Sequence, residues 1–154
     1  MPLILGACAG TPPAPKAADL PDDFALGVTV LPRAGENTPQ AAWYIIEPDD
    51  VLHAAIGERL PSSPAPPAVR TLSREQVRHV WELVVAGGLA DTSWPAIADG
   101  STRATNSAAI VYVAAAGRRR TFALPADRAG DLSPVISELD RLGWVPTPGP
   151  NLTP

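Results

Sequence analysis

Cysteine occurs once, at position 8, so neither an intrachain disulfide nor a cysteine-based zinc site can form. Oxidation state therefore does not place the protein in a compartment. Histidine is almost as scarce, with His53 in a strand pattern and His79 on the polar side of a helix pattern. Neither belongs to the spaced set of imidazoles and carboxylates that a metal requires, so no metal and no cofactor is expected. Long apolar runs are missing too. The longest, residues 108–116, is half alanine and falls well short of the roughly 18 residues of a membrane span. Aromatic side chains make up only 5% of the chain, which limits the core to a few large anchors. The net charge is −4 and the pI about 5.0, so no positive field attracts nucleic acid or an anionic membrane surface.

Proline is abundant by contrast, with 19 residues gathered mainly outside the periodic segments. Proline fixes φ and removes a hydrogen-bond donor, so such segments stay extended and unpaired. Residues 9–23, "AGTPPAPKAADLPDD", read as a tether, residues 24–145 as a single domain, and residues 146–154 as a loose tail. A chain of 154 residues is long enough for one domain with a core of its own.

Within the domain, "FALGVTVL" (24–31) alternates with period two and has one more apolar face, the pattern of a strand. "AAWYIIE" (41–47) and "VLHAAI" (51–56) form two more strands around Pro48-Asp49-Asp50, a hairpin turn. Four prolines make residues 57–68 a surface loop, and residues 69–72 a short extended lead into a helix. That helix carries a capping box, Ser73 with Gln76, and a hydrophobic staple, Leu72 with Val77. Val77, Val80, Trp81, Val84 and Val85 make its apolar stripe, and Gly87-Gly88 stop it. Residues 89–107 are aperiodic. "AAIVYVAA" and "RRRTFAL" then form a second hairpin around Ala116-Gly117. The last helix is expected to start with Ser133 as N-cap and Pro134 at its first position, and to end at Gly143, with Trp144 folding back on Leu139. The order β-β-β-α-β-β-α, with short links, predicts an α+β fold: a largely antiparallel sheet of about five strands with two helices on one face.

Catalytic patterns are missing. No glycine-rich phosphate loop follows a strand, no GxSxG elbow occurs, and a cysteine in a proline-rich segment lacks a fixed base, so the chain reads as a non-enzyme. Asp49, Asp50, Asp91 and Asp99 lack the alternation of a calcium loop and read as turn residues. Arg118, Arg119 and Arg120 are the densest charge cluster and at a hairpin start could meet an acidic partner or phosphate, or simply protect an exposed strand edge. Trp94 sits before Pro95 in the aperiodic stretch, where an indole could either anchor a partner or close the core.

Leu5-Gly6-Ala7-Cys8 resembles the box that ends bacterial lipoprotein signals, in which the cysteine is lipidated and small residues admit the peptidase. Seven residues precede Cys8 and none is basic, so residues 1–8 read as a truncated signal-like segment. With "LPDDFALGVTV", "WYIIEPDD", "TLSREQVRHVWELVVAGGLAD" and "LSPVISELDRLGW", the chain resembles uncharacterised small bacterial lipoproteins. That resemblance implies a cell-envelope protein held to the membrane by a lipid on Cys8 rather than by a transmembrane helix; an unmodified Cys8 would instead leave it cytoplasmic. The order of extended run, helix, hairpin and short leucine helix also looks like emfourin, the protealysin-inhibitor type of small protein. The partners implied are an envelope protein or a protease, and not nucleic acid.

Overall fold

The computed structural model describes residues 19–31, 41–57, 65–91, 94 and 107–144. Six strands and two helices form an α+β domain: β1 (Ala25–Val30), β2 (Ala42–Ile46), β3 (Val51–Ile56), β4 (Ala68–Thr71), α1 (Arg74–Ala86), β5 (Ser107–Ala115), β6 (Arg118–Pro125) and α2 (Ala129–Gly143). The strands form one sheet in the order β4-β3-β2-β1-β5-β6, and all neighbours run antiparallel. The first four strands thus form a meander. After α1 the chain adds β5 to the free side of β1, which makes the first strand central.

Side chains alternate along each strand, and the register places Leu26, Val28 and Val30 beside Ile46, Tyr44 and Ala42 on one side and Val113, Val111 and Ala109 on the other. These residues share one buried cluster with Val77, Val80, Trp81 and Val84 of α1 and with Leu132, Val135, Leu139 and Leu142 of α2. Phe24 meets Trp81 edge to face, with ring centroids 5.2 Å apart. Both helices therefore cover the same face, as their single apolar stripes require.

The turns follow local chemistry. Between β2 and β3 the Asp50 amide donates to Glu47 O at 3.0 Å, and Asp50 itself is left-handed at φ 66°, the ending of a three-residue hairpin loop. Ala116 and Gly117 take φ 52° and 72°, and the Asp23 carboxylate accepts both of their amides. Ser73 and Gln76 form the reciprocal capping box at the start of α1. At its end Gly88 adopts φ 67° while the Leu89 amide reaches Val84 O, a Schellman closure. Gly87 serves another purpose: a Cβ there would lie 2.6 Å from Asp131 O, so its absence lets the two helices approach.

Four expectations need correction. Residues 68–71 form a sixth strand, because the edge of β3 offers backbone partners that a four-residue segment cannot supply alone. Helix α2 begins at Ala129, so Ser133 is not its N-cap and Pro134 lies inside it. The extra turn brings Leu132 into register with Val135, Leu139 and Leu142, and burying such a side chain contributes about 1.5–3 kcal/mol, comparable to what an interior proline costs. Gly143 is helical and packs against Ala54. Trp144 consequently does not fold back on Leu139: it caps α2 through its amide to Asp140 O, with the indole 67% exposed.

Candidate binding surface

Trp94 packs inward. Its ring stacks on Phe122 at 5.3 Å, its indole N–H donates to Gly88 O at 2.9 Å, and the Arg128 guanidinium lies 4.8 Å from the ring centroid. Arg128 is itself bonded to Asp131. Held on three sides, Trp94 joins the stop of α1 to β6 and the start of α2. Its polar handle is already used within the domain.

The arginine triplet is divided by strand geometry. Arg118 stands opposite Ala115 and Arg120 opposite Val113 on the helix-covered face, whereas Arg119 stands opposite Ala114 on the other face. The strand therefore presents two arginines on one side and one on the other, not a single cluster of three. Cys8 lies outside the described residues.

The second face of the sheet was the less obvious feature of the sequence. Thr29 stands between Trp43 and Ile110, and Gly27 between Ile45 and Tyr112. The Tyr112 ring leans over Gly27, where an added Cβ would lie 3.3 Å from the Tyr112 Cβ. These residues are half-buried. Among the described residues no helix covers this face; at its β3 end Pro66 closes over His53, whose Nδ1 is 2.9 Å from Pro66 O. Antiparallel sheets with one open face usually present polar residues there, yet β1, β2 and β5 place no charged side chain on this one. The signal in the sequence was the near-continuous apolar character of "WYII" and "AAIVYVAA", more than a one-sided strand needs.

Polar chemistry is concentrated at the helices instead. The Tyr44 hydroxyl, in a residue only 1% exposed, donates to Asp140 of α2; burial first and that carboxylate second push the phenol well above its usual range. Glu138 takes a bidentate contact from Arg141, with Nε 2.8 Å from Oε2, and the guanidinium lowers its carboxyl below the usual value. Both arrangements pin α2, one to the sheet and one to itself. Among the described residues no three histidine, cysteine or acidic side chains gather as metal ligands, and no helix is long and apolar enough to cross a membrane.

Fold and surface together define an α+β domain whose six-stranded sheet is covered by helices on one side and carries an uncharged, largely apolar centre on the other. No protein-family model matches the chain, and no curated protein matches it.

Proposed function

We propose that this protein is a non-enzymatic component of a bacterial cell envelope, anchored by a lipid on Cys8, whose α+β domain is a protein-binding module. The binding part rests on one observation, the uncharged centre of the second face, bearing Trp43, Ile45, Ile110 and Tyr112. Aromatic and aliphatic side chains with little charge are the composition of an interface centre. The anchoring part is supported by the Leu5–Cys8 box and the proline-rich tether of residues 9–23, long enough to hold a domain off a bilayer.

The mass of the N-terminal peptide isolated from the native host tests the anchor. A diacylated or triacylated Cys8 is the expected result, with Cys8→Ser releasing the protein from the membrane fraction; an unmodified peptide would return it to the cytoplasm. A photocrosslinking residue at position 110 tests the face: protein adducts are expected in the host, and their absence would remove the binding reading.

A further inference from the structure

We infer that the second face of the sheet pairs with the same face of a second copy of this chain, a proposal that rests on that face being a protein-binding surface. Two charges at its rim, Glu47 and Arg119 among the described residues, point to the occupant. Glu47 follows directly after β2, and its amide donates to Val51 O, so it continues the row that Ala25, Ala114 and Arg119 form across the sheet. That row is therefore acidic on the β2 side, small, apolar and already buried at Ala25 and Ala114, and basic on the β6 side, so the contacts left for a second copy on it are the two charged ends. Arg119 is exposed, as is Glu47, whose Oε2 lies 3.6 Å from the His53 ring among the described residues.

Consider a two-fold axis parallel to the strands, running between β1 and β5 in the plane of the interface. It leaves position along the strands unchanged and reverses the strand order. Arg119, on the second strand beyond β1, then lies over Glu47 of the other copy, and the second Glu47 lies under the second Arg119. The same operation lays the uncharged centre, with Ile45, Thr29 and Ile110, against itself, as an isologous interface requires. Strand directions stay aligned within the roughly 30° typical of packed sheets. With strands about 4.8 Å apart, the face measures roughly 500–800 Å², near what one partner gives to a stable interface. An acidic or basic partner would match only one of these two described charges, whereas a second copy matches both.

Sedimentation equilibrium of the full, unlipidated chain tests this, with reductant present so that Cys8 cannot crosslink it. A dimer with a dissociation constant in the micromolar range is expected. Arg119→Glu and Glu47→Arg should each weaken it by about ten-fold, since symmetry places two like-charge contacts in the interface. The double variant carrying both changes should return to within about three-fold of the wild-type constant, because each copy then supplies the reversed pair. Thr29→Lys should abolish the dimer, with unchanged near-ultraviolet circular dichroism showing that the fold persists. A chain that stays monomeric to several hundred micromolar overturns the proposal, as does a double variant no tighter than the single ones. Should that monomer still crosslink to another protein from position 110, the dimer fails while the binding reading stands.

Discussion

The two faces of the sheet are built from the same strands and differ in what occupies alternate positions. On the helix side stand Leu26, Val28, Val30, Tyr44, Ile46 and Val111, nearly all fully buried. On the other side glycine, alanine and threonine separate Trp43 and Ile45 from Ile110 and Tyr112, and these four are only half-buried. Stability is thus concentrated on one side: that face has the apolar contacts with both helices and the Tyr44–Asp140 bond. The other has apolar surface without an equivalent partner among the described residues. An apolar face left in that state marks an interaction surface more often than an accident of composition.

The sharpest way to break this contrast is a pair of tryptophan truncations. Trp81→Ala should cost about 3–5 kcal/mol, because the buried ring leaves a cavity between α1 and the sheet, whereas Trp43→Ala should cost about 1 kcal/mol in dilute protein. Urea unfolding below the concentration of self-association measures both, and equal losses would mean that the two faces are equally buried.

Tyr44→Phe should cost about 1–2 kcal/mol by removing the bond to Asp140. It should also change the alkaline limb of stability. The folded phenol titrates higher than the unfolded one, so its contribution is complete below the unfolded value of about 10 and falls as pH rises beyond it. Thermal melts from pH 8 to 11 should show that decline in the wild type and a shallower one in the variant.

Ser73→Ala removes one half of the capping box at the start of α1 and should cost about 1 kcal/mol, with Gln76→Ala costing less. The smallest effect is expected at acid pH. Glu138 titrates lower in the folded protein than in the unfolded chain, so its contribution is present above the unfolded value of about 4.3 and is lost as pH falls through the folded one. Glu138→Gln should flatten this part of the acid limb, and an unchanged slope would show that the Arg141 contact does not outlast solvent competition.

Much of the architecture could be read from local chemistry. The period-two runs of β1, β2 and β3, the Ser73-Gln76 cap and the Ala116-Gly117 hairpin each depend on residues near one another in the chain. The departures have a common origin in distant contacts. β4 exists because β3 lends it an edge, Leu132 draws α2 back past Pro134, and Trp144 stays outward because Gly143 is held helical against Ala54. The candidate residues divided in the same way: Trp94 could be recognised as an indole needing a place, but Phe122, Gly88 and Arg128 set that place.

The amino-acid order by itself determined the α+β class, the caps and turns, and the apolar character of both strand faces, because period, capping and turn preference act over a few residues. Only the tertiary structure decided which face the helices would cover and how the arginines would divide. Pairing register alone aligned Glu47 and Arg119 in one row, since it joins segments more than 70 residues apart and no local propensity encodes that distance.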